Sequence, residues 1–95
     1  MYKNTEKIEW IKTYIKNNPP AVDIMNADFV DAYIEKFKPK HIITMYGANK
    51  CSELSKILKQ GYDMNIFNRS IIGIHQAMWG FPKWVYVYEI NCYIT

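Results

Sequence analysis

The apolar residues of this chain change their spacing near residue 66, and this change restricts the folds open to it. Before that point they recur every three or four positions, which is typical of amphipathic helices. In the stretch 84–90, Trp84, Tyr86, Tyr88 and Ile90 alternate with other residues, which indicates a strand with one buried face. Ninety-five residues with both patterns suffice for one domain, so we predict a single α+β domain over residues 1–95.

Three segments carry the helical spacing. The first, from about Asn4 to Asn17, ends before Pro19-Pro20, which cannot continue a helix. The second extends from Asn26 or Ala27 to Phe37, with Asn26 as its N-cap, and the third lies near 50–64. The apolar faces of these helices predict a core formed by Ile8, Ile11, Ile15, Phe29, Tyr33, Leu54, Ile57 and Leu58.

The rest of the chain has strand character. Two runs rich in β-forming residues lie within 67–90 and are joined by a loop that contains Gly80, so we predict an antiparallel hairpin over this range. The run His41-Ile-Ile-Thr-Met45 predicts a short extra strand near 41–45, in the connection between the second and third helices.

The run from Cys51 to Ser70 has spaced leucines, then a turn, an apolar residue and Arg69. It resembles the recognition helix and first wing strand of the winged helix-turn-helix superfamily, and the chain is similar to small winged-helix proteins encoded by phages and prophages. The resemblance implies three helices followed by a hairpin wing. Two features depart from it: the connection 38–50 is long, and Asn65 stands where the family commonly has glycine.

The same resemblance implies a small transcriptional regulator that binds double-stranded DNA, with the helix near 50–64 in the major groove and the hairpin 67–90 as wing. The net charge of +3 is mildly basic. Serine and lysine side chains on an exposed helix face can reach base edges and phosphates. The predicted DNA-binding residues are Lys50, Ser52, Ser55, Lys56, Lys59, Arg69, His75, Gln76 and Lys83.

Two other binding modes remain open. A winged-helix scaffold can bind protein instead, for example as a phage-type modulator of host machinery, and the low net charge favours this alternative. Trp84, Tyr86 and Tyr88 could also stack on the bases of a single strand. We further expect a homodimer through the first helix, where Trp10 and Tyr14 widen the apolar stripe, or through the C-terminal strand, which Tyr93 and Ile94 extend.

Catalysis has no support in the sequence. It contains no glycine-rich phosphate loop, and Cys51, Cys92, His41 and His75 match no zinc spacing, so we expect neither an enzyme nor a cofactor nor a metal. The first residues lack the apolar stretch of a signal peptide, and no apolar run approaches the ~18 residues of a membrane span. We therefore expect a cytoplasmic protein with reduced thiols and no membrane partner.

Overall fold

The computed structural model describes residues 2–43, 47, 49–73 and 84–91. Over these residues the protein is a small α+β domain with three helices and two antiparallel sheets. In chain order the elements are α1 (Asn4–Asn17), β1 (Ala21–Asp23), α2 (Ala27–Phe37), β2 (Ile42–Ile43), β3 (Asn49–Lys50), α3 (Ser52–Asp63), β4 (Phe67–Gly73) and β5 (Trp84–Ile90).

The three predicted helices are confirmed, with α1 and α2 at the predicted bounds. The side chain of Asn26 caps α2 by accepting a hydrogen bond from the backbone N–H of Phe29, at 3.2 Å. At the other end, Lys38 takes a left-handed conformation with φ of 52° and terminates α2 before Pro39. All eight predicted core residues are buried.

The predicted hairpin is confirmed by the pairing of β4 with β5, which extends from Phe67 opposite Ile90 to Gly73 opposite Trp84. The strand order is β1-β5-β4, so β1 completes the sheet on the far side of β5. The sequence did not predict β1, because only Val22 is buried among its three residues. Val22 lies opposite Tyr88, and both enter the core.

The aromatic residues of α1 fill space within the domain. The Trp10 ring lies 5.5 Å from that of Phe37 and 6.4 Å from that of Phe29, between centroids, and Tyr14 lies 5.1 Å from Phe29. Both side chains thus pack against α2. The apolar excess of α1 therefore gives no reason to place a dimer interface there.

Asn65 takes a conformation that glycine commonly supplies. Its φ is 63°, in the left-handed region where asparagine is several-fold enriched among residues with a Cβ. The chain reverses here, and the N–H of Ile66 donates to the carbonyl of Gly61 at 2.9 Å. The turn after α3 therefore forms without glycine, and β4 begins directly against the helix.

Candidate nucleic-acid interface

The outer face of α3 carries the polar residues that the sequence singled out. Leu54, Ile57, Leu58 and Gly61 are buried and form the opposite face of the helix. Of the predicted DNA-binding residues on α3, Ser52, Lys56 and Lys59 are exposed and Ser55 is half-buried. Lys50 is exposed in β3, just before the helix begins.

Lys59 is engaged with a neighbour on the same face. Its Nζ lies 2.8 Å from Oδ2 of Asp63, one turn further along α3, and both side chains are more than half exposed. An exposed pair of this kind contributes about 0.3–0.5 kcal/mol. Lys59 can therefore turn to another anion at little cost, although Asp63 reduces the positive charge at this end of the helix.

Arg69 lies between two aromatic rings that belong to different elements. Its guanidinium carbon is 4.1 Å from the ring centroid of Tyr62 on α3 and 4.1 Å from that of Tyr86 on β5. A hydrogen bond to Tyr88 raises the pKa of the Arg69 guanidinium above its ordinary value. Arg69 thus holds the hairpin against the C-terminal turn of α3. The sequence did not predict this role, because the three side chains belong to three different elements.

Stacking on both faces uses none of the five N–H donors of an arginine, which lie in the plane of the group. The donors of Arg69 that Tyr88 does not occupy can therefore bind a phosphate.

The same arrangement argues against the hypothesis that Trp84, Tyr86 and Tyr88 stack on the bases of a single strand. Tyr88 is 4% exposed and Tyr86 is covered by the guanidinium, so of the three rings proposed to stack on bases only Trp84 is largely exposed.

Two adjoining clefts connect the face of α3 with its surroundings. One, of about 250 Å³, includes Lys50, Ser52, Ser55 and Lys56 in its lining, together with Ile24. The other, also about 250 Å³, shares Ser55 and Ile24 with the first and extends to Trp84, Val85, Tyr86 and Tyr88 on β5. The surface of α3 is thus continuous with that of the hairpin.

Glu53, the acidic residue in the first turn of α3, binds side chains of α1 and α2. Lys7 of α1 lies 3.1 Å from its Oε1, and the hydroxyl of Tyr33 on α2 donates to its Oε2 at 2.6 Å. Burial acts to raise the pKa of Glu53, but the bonds from Tyr33 and Lys7 outweigh it and hold the pKa below its ordinary value. Burial and the bond to Glu53 raise the pKa of Tyr33.

The positive charge of the chain is concentrated in one segment. Residues 36–59 contain one acidic residue, Glu53, and therefore carry a formal charge of +5, whereas the rest of the chain sums to −2. The basic residues of the segment are Lys36, Lys38, Lys40, Lys50, Lys56 and Lys59.

His75, Gln76 and Lys83, predicted at the hairpin, lie outside the described residues, as do Cys92, the predicted dimer residues Tyr93 and Ile94, and residues 44–45 of the predicted extra strand. The strand near 41–45 is present as Ile42–Ile43, paired with Asn49–Lys50. Cys51 is buried at the N-cap of α3, and burial raises the pKa of its thiol.

No family model, curated protein or solved structure matches the chain. Over the described residues, no group of three or more His, Cys, Asp or Glu side chains is placed to hold a metal ion. In the same part of the chain, none of the helices has the length and apolar character needed to cross a bilayer.

Proposed function

We propose that the protein is a winged-helix DNA-binding protein, a small transcriptional regulator that places α3 in the major groove of duplex DNA and uses the hairpin 67–90 as a wing. The observation that carries this proposal is the formal charge of +5 on residues 36–59, which is +3 when Glu35 and Asp63, the partners of Lys38 and Lys59, are counted with it. Lysines exposed on the connection before α3 and on the outer face of α3 form a basic patch of the kind that binds a polyanion.

The order and placement of the elements support the same proposal. Three helices precede a hairpin, and Asn65 allows β4 to start against the end of α3. Because Arg69 ties Tyr62 to Tyr86, the hairpin has a fixed position beside the face of α3 that carries Ser55 and Lys59. An α-helix fits the width of the major groove, so this face can approach base edges while the hairpin contacts the flanking backbone.

The rival proposal, a protein-binding module on the same scaffold, predicts a different response to salt. DNA binding releases counterions, so the logarithm of affinity falls with the logarithm of salt concentration by about 0.9 for each neutralised phosphate. Binding to one folded partner would instead leave the protein without affinity for arbitrary duplexes. A mixed-sequence duplex is therefore the probe that separates the two proposals.

The test measures fluorescence anisotropy of a labelled mixed-sequence duplex between ~50 and ~200 mM salt. The double variant Lys56→Ala/Lys59→Ala should bind more weakly, with a slope less steep by about 1.8, since two phosphate contacts are lost. Lys12→Ala/Lys16→Ala on α1 removes the same charge elsewhere and should leave affinity and slope close to wild type. Absence of wild-type binding at ~50 mM salt, or equal effects of the two double variants, would overturn the proposal.

Asp63→Asn should strengthen DNA binding, in contrast to the lysine variants. It removes the carboxylate that lies 2.8 Å from Lys59 Nζ, so the lysine becomes available to a phosphate. We expect affinity for the duplex to rise about twofold at ~50 mM salt, which corresponds to the modest energy of an exposed ion pair. The control Glu9→Gln neutralises an exposed carboxylate of α1 and should produce a smaller change. Unchanged or weaker binding by Asp63→Asn would place Lys59 outside the interface.

A further inference from the structure

The described part of the connection between α2 and α3, residues 38–43 and 49–50, forms a basic arm, and Lys50 is the one predicted site residue in it. Within it, β2 pairs with β3, with Ile42 opposite Lys50 and Ile43 opposite Asn49. The side-chain amide of Asn49 donates to Oδ1 of Asp31 on α2 at 2.8 Å, so the arm is attached to the helical body.

A cleft of about 590 Å³ separates the arm from the start of α3. Lys40 and Lys50 of the arm both line this cleft, together with Ser52 in the first turn of α3. His41 also lines it, with its Nδ1 3.1 Å from the carbonyl oxygen of Pro39. The cleft thus presents cations and polar groups that suit an anion.

The cleft is part of the same surface as the face of α3. Lys50 and Ser52 line both this cleft and the adjoining one that contains Ser55 and Lys56. The arm lies at the N-terminal end of α3, whereas the Arg69 sandwich lies at Tyr62, ten residues further on. The arm and the sandwich therefore lie at opposite ends of α3, whose axis is about 15 Å long between Ser52 and Tyr62.

The side chains of the arm suit a sugar–phosphate chain better than a free anion. Ile42 and Ile43 are 63% and 70% exposed, and Ile42 lines the cleft together with Lys40 and Lys50. A nucleic-acid backbone alternates anionic phosphates with apolar sugar carbons, so it can engage lysines and isoleucines together. Inorganic phosphate could use only the lysines.

We propose that the basic arm grips the DNA backbone on the side of the major groove opposite the hairpin, with Lys38 and Lys40 on phosphates and Ile42 and Ile43 against deoxyribose. This inference rests on the proposed function and extends it. The α3 face then reads the groove between two backbone contacts, one from the arm and one from Arg69. Lys38 lies 3.7 Å from Glu35, and both side chains are more than 70% exposed, so this pair yields readily to a phosphate.

The test compares two double variants on the same duplex. Lys38→Gln/Lys40→Gln should reduce the salt slope by about 1.8 and weaken binding equally for all sequences, because phosphate contacts carry no sequence information. Ile42→Ser/Ile43→Ser should weaken binding while leaving the slope unchanged, because no charge is removed. Far-ultraviolet circular dichroism verifies that both variants retain the fold, and Lys12→Gln/Lys16→Gln is the charge-matched control.

The outcomes separate this inference from the proposed function. If wild type binds duplex DNA and Lys38→Gln/Lys40→Gln retains its slope, the arm does not contact the backbone and the inference fails while the function stands. If wild type does not bind, the function fails and the arm with it. Replacing chloride by inorganic phosphate at constant ionic strength should leave wild-type binding unchanged. Inorganic phosphate that binds wild type but not Lys38→Gln/Lys40→Gln, while this variant keeps the wild-type salt slope for the duplex, would identify a free-phosphate site and overturn the inference.

Discussion

Glu53 is the side chain at which the three helices meet, since it binds Lys7 of α1 and Tyr33 of α2 from its place on α3. Both of its oxygens are engaged inward. The carboxylate therefore stabilises the helical body without neutralising Lys56 on the outer face. The negative charge of Glu53 is thus paired with Lys7 of α1 and not with a lysine of the surface that we propose for DNA.

Glu53→Gln should lower the free energy of unfolding by about 1 kcal/mol at pH 7, since an ionic hydrogen-bonded contact is weakened at a partly exposed site. The folded-state pKa of Glu53 is lowered. Its contribution is therefore complete above the unfolded value of about 4.3 and is lost as the pH falls through the folded pKa. Denaturant unfolding from pH 7 to pH 3 measures this difference. Glu35→Gln, at an exposed pair, is the control; a difference for Glu53→Gln that stays constant with pH would contradict the account.

At the scale of elements, position 61 near the end of α3 requires glycine, because this buried side of the helix lies against the first strand of the hairpin. A Cβ at Gly61 would overlap the ring of Phe67, the first residue of β4. Phe67 is 1% exposed and has no room to withdraw. The glycine thus allows the helix and the first strand of the hairpin to approach closely.

Gly61→Ala should destabilise the protein by about 1–3 kcal/mol, because overpacking against Phe67 outweighs the gain of about 1 kcal/mol in helix propensity. Thermal or denaturant unfolding measures the change. Phe67→Leu alone should also destabilise, but the double variant Gly61→Ala/Phe67→Leu should lose less than the sum of the two. Additive losses, or a stabilised Gly61→Ala, would show that the ring does not limit this position.

The elements also show what the sequence could predict. Helical spacing and proline breaks located α1, α2 and α3, because their signals are local. The strand β1 was missed, because its pairing with β5 depends on residues more than sixty positions away. For the site, the exposed lysines of α3 could be predicted from the helical pattern. The Arg69 sandwich could not, because Tyr62 and Tyr86 meet only through tertiary packing.

For the whole molecule, homodimerisation stays a prediction, and the structure moves its expected location. Trp10 and Tyr14 pack within the domain, whereas Ile71, Ile72 and Trp84 on the hairpin are about half exposed or more. We therefore expect the C-terminal hairpin to supply the contact, which would double the phosphate contacts on DNA. Light scattering at micromolar concentration should give the mass of two chains. The mass of one chain, with and without DNA, would contradict this expectation.

The central claim is that one surface of the molecule, the segment 36–59 with the hairpin beside it, binds duplex DNA. Titration of ¹⁵N-labelled protein with a mixed-sequence duplex, followed by backbone amide chemical shifts, tests it most directly. DNA binding through this surface predicts that the largest shifts fall at residues 38–43 and 49–59 and near Arg69, and that α1 around the half-buried Lys12 and the exposed Lys16 stays unchanged. Largest shifts on α1, or no shifts at ~50 mM salt, would contradict it.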